Sequence, residues 1–144
     1  MTPNPRIKVT SRSFSRHPIL KKELKQVFPD SVFNPDGPEI GLNNIEKFLQ
    51  DADGLILGIE KLDGPLLRRL ERLKIVAKFG VGLDNLDQQT AKECGISIGW
   101  TGGVNKRSVS EQSLGFMLGL SRNLFKTGYQ LKQGTWNKQG GKQL

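Results

Sequence analysis

Short apolar runs alternate with segments of helical periodicity through the first 100 residues, and this alternation constrains the fold more than any other feature. The run from Gly54 to Ile59 is nearly continuous, as expected of a strand that is covered on both faces. A strand–helix–strand order that repeats in this way predicts an α/β fold, a parallel sheet of five strands with helices on both faces. The predicted strands cover residues 6–10, 31–33, 54–59, 75–79 and 96–98.

The boundaries of the connecting helices are marked by residues that favour helix ends. Pro18 and Pro65 suit first helical positions, because proline lacks the N–H that a first turn leaves unpaired. Asp87 suits the cap of a helix that runs through Lys92, and Gly95 suits its C-terminal turn.

The last 40 or so residues follow a different pattern. Ser108 and Glu111 match the capping box S-x-x-E, which predicts a helix that begins there and continues to about Gln133. Its apolar residues do not form one narrow stripe, so such a helix needs cover on more than one side. The pattern therefore divides the chain into residues 1–100 and residues 101–144.

The charge of the chain raises nucleic acid as a partner, since the formal net charge is +8 and the sequence pI is about 9.8. The basic residues are dispersed over several segments without a run of five, which favours a generally basic, solvated surface over a nucleic-acid groove. No apolar run is long enough to span a bilayer, and no signal-peptide pattern opens the chain. A single cysteine, Cys94, fits a reducing compartment, and we expect a cytoplasmic protein.

Two glycines follow the fourth predicted strand in Gly80-Val81-Gly82, at the sheet edge where open α/β folds bind ligands. The bare backbone N–H groups of such a turn can hold a carboxylate, although a tight turn without a ligand is also consistent with the spacing. The fingerprint G-x-G-x-x-G is incomplete, since Asn85 occupies the third glycine position. We therefore predict an acid-binding turn and no dinucleotide site.

A second polar stretch follows the fifth predicted strand and contains Asn105. Its amide can serve a polar ligand near a helix N-terminus, or the residue can simply form the turn. Glu111 is fully explained by the predicted capping box.

These stretches resemble the D-isomer-specific 2-hydroxyacid dehydrogenases, the family that includes phosphoglycerate dehydrogenase. The resemblance is carried, in order, by residues 77–87, by Cys94-Gly95-Ile96, by residues 105–111, and by Lys132-Gln133-Gly134-Thr135-Trp136, which matches the family's K-x-G-x-W.

The resemblance implies that residues 1–100 form a flavodoxin-like substrate domain, and that residues 101–144 form a linker and a long helix that opens an NAD-binding domain. It further implies that the backbone of Gly80, Val81 and Gly82 holds the substrate carboxylate and that Asn105 lies near the cleft. The family's NAD fingerprint and its catalytic Arg, Glu and His have no counterpart here, so no catalytic, cofactor-binding or metal-binding residue is predicted.

One substrate contact is a hypothesis beyond the resemblance. The segment Ser11 to Arg16, predicted as a loop, should emerge at the same sheet edge as Gly80, and Arg12 there can help to hold an acidic substrate.

Phosphoglycerate-specific members of the family tend to have Arg-Ser where this chain has Leu57-Gly58, and this departure from the resemblance disfavours a phosphorylated substrate.

The predicted function is that of an N-terminal fragment of an oxidoreductase that interconverts a D-2-hydroxy acid and its 2-oxo acid with NAD. The fragment alone is predicted to bind no NAD and to be inactive. A stand-alone, non-catalytic carboxylate-binding or regulatory module remains the alternative. The apolar helix from Ser108 to Gln133 predicts a homodimer, and no membrane partner is expected.

Overall fold

A computed structural model describes residues 4–34 and 42–143 and divides the chain into two compact units, Met1–Gly102 and Gly103–Leu144. The first unit contains one sheet of five parallel strands in the order β2-β1-β3-β4-β5. This order is the flavodoxin-like one, and it confirms the predicted fold class. The strands are β1 (Ile7–Val9), β2 (Val32–Phe33), β3 (Gly54–Leu57), β4 (Ile75–Lys78) and β5 (Ser97–Gly99).

In the described part of the first unit, five helices connect these strands. Two of them start where the carboxylate of an aspartate accepts a backbone N–H of the first turn: Asp63 accepts from Leu66, and Asp87, the predicted cap, accepts from Thr90. The helices of the first unit are α1 (Arg12–Arg16), α2 (Pro18–Val27), α3 (Leu42–Leu49), α4 (Gly64–Arg69) and α5 (Gln88–Glu93).

The strand order places helices on both faces of the sheet. Connections between parallel strands are right-handed, and only the step from β1 to β2 runs against the others, so α1 and α2 lie on the opposite face from α3, α4 and α5. Among the described residues, the core cluster accordingly joins β3 and β4 to α3, α4 and α5. Its fully or almost fully buried residues include Ile45, Leu49, Leu55, Leu57, Leu67 and Val76.

The segment after β1 is a helix and not the predicted loop. Five residues are too few to show a helical apolar pattern, but the hydroxyl of Ser11 accepts the N–H of Phe14 and so caps the turn. The ring of Phe14 is buried and meets the ring of Phe79 edge-on at a centroid distance of 5.3 Å. This helix fixes the backbone position of Arg12.

The second unit contains two helices, α6 (Lys106–Ser121) and α7 (Leu124–Lys132). The predicted long helix exists as α6, but its predicted extent to Gln133 is wrong. Asn123 adopts a left-handed conformation, φ 58°, which ends the first helix and is tolerated better by asparagine than by most residues. The ring of Phe125 then lies 6.1 Å from that of Phe116, whereas nine residues of one continuous helix would span about 13.5 Å.

The predicted capping box at Ser108 is also wrong. The helix starts two residues earlier, with Asn105 at the cap position, and Ser108 lies inside the first turn. Glu111 instead accepts a hydrogen bond from Arg107 at 2.9 Å, an i,i+4 ion pair along the helix.

Within the described ranges, the structure contains no helix that is both long enough and apolar enough to cross a membrane.

We expect the free energy of unfolding to fall as the pH drops below the ordinary aspartate pKa of 3.8. Asp51 accepts from Lys8 at 2.5 Å and from Arg6 at 2.7 Å, and these hydrogen bonds lower its pKa. A carboxyl whose pKa is lowered by folding stabilises the fold above its unfolded pKa and loses that effect when it is protonated. Urea titrations between pH 3 and 7 should show a flatter acid limb for Asp51→Asn than for the exposed control Asp30→Asn. Identical acid limbs would contradict this role of Asp51.

Candidate substrate-binding site

The carboxyl ends of β1, β3 and β4 surround a cavity of about 570 Å³. The strand order reverses between β1 and β3, and such a reversal is where open α/β sheets bind their ligands. A hydrogen bond of 3.1 Å from the Gly58 N–H to the Thr10 hydroxyl joins the two strand ends. The cavity is lined by Ser11, Arg12, Ser13, Arg16, Gly58, Ile59, Glu60 and Phe79.

The predicted acid-binding turn continues directly from the cavity wall at Phe79. None of the backbone N–H groups of Gly80, Val81 and Gly82 donates to an acceptor in the described part of the chain. Gly80 is exposed, and the other two are half-buried. Three adjacent, accessible N–H groups that have no acceptor among the described residues can donate to the oxygens of an anion.

The backbone conformation of the turn favours glycine at position 80, and a hydrogen bond from Trp100 fixes the orientation of the turn. Gly80 has φ +154°, a conformation that residues with a side chain rarely adopt. The Val81 carbonyl accepts from the indole N–H of Trp100 at 3.1 Å. Since the peptide bond is planar and trans, the N–H of Gly82 points away from that indole.

Asn85 and Lys78 attach the turn to the segment after β3, and we call these two residues the clamp. The Asn85 amide donates to the carbonyl oxygens of Gly58 at 3.1 Å and Glu60 at 2.6 Å, and its own oxygen accepts from the Lys78 ammonium at 2.7 Å. Lys78 also donates to the Gly58 carbonyl. The clamp therefore holds both sides of the cavity edge in one arrangement.

The ammonium group of Lys78 lies in a partly buried environment. Desolvation lowers its pKa, and the nearby carboxylates of Asp84 and Glu60 act in the opposite direction. The ammonium donates to the Gly58 carbonyl and to the Asn85 side-chain oxygen, and so it serves a structural role in the clamp.

Arg12 lines the cavity, as the sequence hypothesis required. Its side chain is exposed and makes no hydrogen bond or ion pair within the described residues. Its helix is held to the turn by the edge-on contact between Phe14 and Phe79. The guanidinium group is therefore available to an anionic ligand.

Asn105 lies in the second unit, at the start of α6. It is exposed, and its side chain makes no hydrogen bond to cap the helix. Its role near a substrate remains a prediction.

The turn does not fit a dinucleotide. The position of the third glycine is occupied by Asn85, whose amide is committed to the clamp. The following helix, α5, already has the Asp87 carboxylate at its first turn, where a pyrophosphate would need open N–H groups. No group of three potential metal ligands among His, Cys, Asp and Glu occurs in the described ranges.

Sequence reasoning missed three residues of the cavity edge: Glu60, Lys78 and Asn85. In the sequence, Asn85 stands out only as the residue at the third glycine position of the incomplete fingerprint. A lysine that ends a buried strand and an asparagine seven residues later are weak signals, because nothing in their spacing reveals that they meet.

A family model covers most of the chain. The model of the catalytic domain of D-isomer specific 2-hydroxyacid dehydrogenases matches residues 13–127. The chain therefore belongs to the D-isomer-specific 2-hydroxyacid dehydrogenase family, which confirms the resemblance described above.

Individual relatives are longer than this chain. It is 33% identical over 133 residues to a hydroxypyruvate reductase of Thermotoga maritima, a match that covers 87% of this chain and 42% of that protein. It is 33% identical over 91 residues to a D-3-phosphoglycerate dehydrogenase of Methanocaldococcus jannaschii, covering 62% of this chain and 17% of that protein.

A solved structure of the NADPH-dependent glyoxylate/hydroxypyruvate reductase of Sinorhizobium meliloti, in complex with NADP and malonate, is similar at 28% identity with a TM-score of 0.72. The match covers 99% of this chain and 42% of that one. The chain thus spans less than half the length of these relatives.

Proposed function

We propose that this chain is the substrate-binding part of an oxidoreductase that interconverts a D-2-hydroxy acid and its 2-oxo acid. The observation that carries the proposal is that the N–H groups of Gly80, Val81 and Gly82 donate to no acceptor among the described residues and lie beside a cavity lined by Arg12. A charge-assisted hydrogen bond contributes about 1.5–3 kcal/mol, so several of them suffice to retain a small carboxylate.

The remaining chemistry belongs to the complete enzyme in this proposal. The relatives named above include reductases of hydroxypyruvate and glyoxylate, and the Sinorhizobium enzyme was solved with NADP. We propose that NAD binds to residues outside those described here, because the turn at Gly80 does not fit it. A cytoplasmic location is part of the same proposal and is supported by the single cysteine.

The proposal is tested by two measurements on the 144-residue chain. Mixing it with NADH and a panel of 2-oxo acids should give no oxidation of NADH. Adding D-lactate or oxamate to the ¹⁵N-labelled chain should shift the amide resonances of Gly80, Val81 and Gly82. Turnover by the chain alone, or an absence of shifts at the turn with every acid, would contradict the proposal.

We expect Arg12→Ala to weaken the binding of D-lactate about tenfold. This factor corresponds to the lower end of the free energy, about 1.5–3 kcal/mol, that one charge-assisted hydrogen bond contributes. The dissociation constant from the same titration measures the effect. Arg68→Ala is the matched control, since Arg68 pairs with Glu93 at 2.9 Å and is not among the residues that line the cavity. An unchanged dissociation constant for Arg12→Ala would remove Arg12 from the site.

We also propose that the chain forms a homodimer through the helices of its second unit, within Ser108 to Gln133. In the described residues of that unit Gly119 alone is buried, while large apolar side chains are exposed, among them Leu114, Phe116, Met117, Leu120, Leu124 and Phe125. Apolar surface of this kind promotes association.

Light scattering at high protein concentration should give the mass of two chains. The double variant Leu120→Gln with Leu124→Gln should shift the mass toward one chain, because it removes apolar surface that the interface needs. A wild-type chain that remains a monomer at every concentration would contradict the dimer.

A further inference from the structure

Glu60 is the most unusual residue of the cavity. Its side chain is only 6% exposed, and its Oε2 atom has no hydrogen-bond partner in the described part of the chain. The neighbouring Ile59 is 70% exposed. Two adjacent residues thus have their burial reversed, with the charged one inside and the apolar one outside. Such a local reversal is expected at functional sites rather than in structural segments.

The position of Glu60 is fixed by the surrounding backbone. Its carbonyl oxygen accepts from the Asn85 amide at 2.6 Å, so the clamp holds this residue directly. Its Oε2 lies over the Gly58 backbone, where a Cβ would stand 2.9 Å from it and 2.9 Å from the Cα of Ser11. A glycine at position 58 therefore leaves the space into which the carboxylate turns.

An unpaired buried carboxylate destabilises a fold, because it gives up hydration without gaining a partner. The Lys78 ammonium attracts this carboxylate, but no described residue donates a hydrogen bond to its Oε2, and Glu60 lines the same cavity as Arg12. A donor to the cavity-facing side of this carboxylate must come from a ligand, since Oε2 itself has almost no accessible surface. The two arginines at the cavity, Arg12 and Arg16, disfavour an ammonium group there, and Glu60 itself disfavours a phosphate. A hydroxyl group is the donor that fits these charges.

We propose that Glu60 is a specificity-determining residue that accepts a hydrogen bond from a hydroxyl group of the substrate beyond the carbon that is oxidised. The proposal rests on the proposed function, because the substrate carboxylate must bind at Gly80, Val81 and Gly82 to present its other end to Glu60. The site then prefers a 2,3-dihydroxy acid to a 2-hydroxy acid that ends in a methyl group.

The probes are D-glycerate and D-lactate, which differ by a single hydroxyl group. In titrations of the ¹⁵N-labelled chain, followed at the turn amides, D-glycerate should bind about tenfold more tightly, as one hydrogen bond to a charged group predicts. Glu60→Gln should reduce this preference to about twofold or less, since the amide oxygen is a weaker acceptor than a carboxylate. Glu71→Gln, the same change at an exposed position, should leave the preference unchanged.

Thermal unfolding supplies a second readout. Without ligand, Glu60→Gln and Glu71→Gln should both unfold in one cooperative transition, so a lost preference reports the missing acceptor and not a loss of the fold. Equal affinity of the wild type for both acids, or a preference that survives Glu60→Gln, overturns the role of Glu60 while the carboxylate turn stands. An absence of shifts with either acid contradicts the proposed function, and the proposal for Glu60 fails with it.

Discussion

Replacing Gly80 by alanine is expected to weaken the binding of D-lactate at least about tenfold while the chain still folds. At φ +154° an alanine is strained by about 1–3 kcal/mol, and a Cβ there would meet the Lys78 side chain at 3.2 Å. The peptide can relieve this strain by rotating, but rotation turns the N–H groups of the turn away from the ligand. The loss of even two charge-assisted hydrogen bonds exceeds a tenfold effect.

The control for this variant is Gly95→Ala. Gly95 also has a positive φ, +70°, and a Cβ there would meet nothing within 4 Å. It follows α5 and lies away from the residues of the cavity. Both variants should lose a similar amount of stability in urea, but Gly95→Ala should keep the wild-type affinity. Equal affinities for all three chains would show that the turn does not hold the acid.

Replacing Asn85 by alanine is expected to lower the free energy of unfolding by about 2–4 kcal/mol and to weaken acid binding as well. The variant removes both amide donors to the carbonyls of Gly58 and Glu60, and it deprives the Lys78 ammonium of its acceptor at 2.7 Å. Partly buried groups left without partners carry most of this cost. Urea denaturation and the acid titration measure the two effects.

Asn44→Ala is the matched control, because it makes the same deletion at an exposed position of α3. It should change the free energy of unfolding by less than about 0.5 kcal/mol. Adding Lys78→Met to Asn85→Ala should cost less than the sum of the two single changes, since both remove the same hydrogen bond. Additive costs would show that the clamp does not act as a unit.

The parts of the fold that could be predicted are those with a physical signature along the chain. A buried parallel strand needs an apolar run, so the segment from Gly54 to Ile59 was identified although β3 ends at Leu57. A helix N-terminus needs an acceptor, so Asp87 identified the start of α5. Gly80 and Gly82 identified the turn because glycine adopts backbone conformations that residues with side chains rarely adopt, as Gly80 does at φ +154°.

The parts that could not be predicted depend on contacts between distant residues. Ser108 and Glu111 fit a capping box in sequence, yet the helix starts earlier and Glu111 pairs with Arg107. Nothing in the sequence around Asn123 indicates that this residue adopts a left-handed conformation between two helices. Asn85 and Glu60 are 25 residues apart, and only the fold brings the amide of one to the carbonyl of the other.

The central claim is that the backbone N–H groups of Gly80, Val81 and Gly82 bind the carboxylate of a 2-hydroxy or 2-oxo acid. A crystal structure of the chain with oxamate tests it most directly. The predicted result is a carboxylate oxygen about 2.7–3.1 Å from at least two of these nitrogen atoms, with the Arg12 side chain turned toward the ligand. Oxamate bound elsewhere, or N–H groups of the turn that donate to acceptors of the protein itself, would contradict the claim.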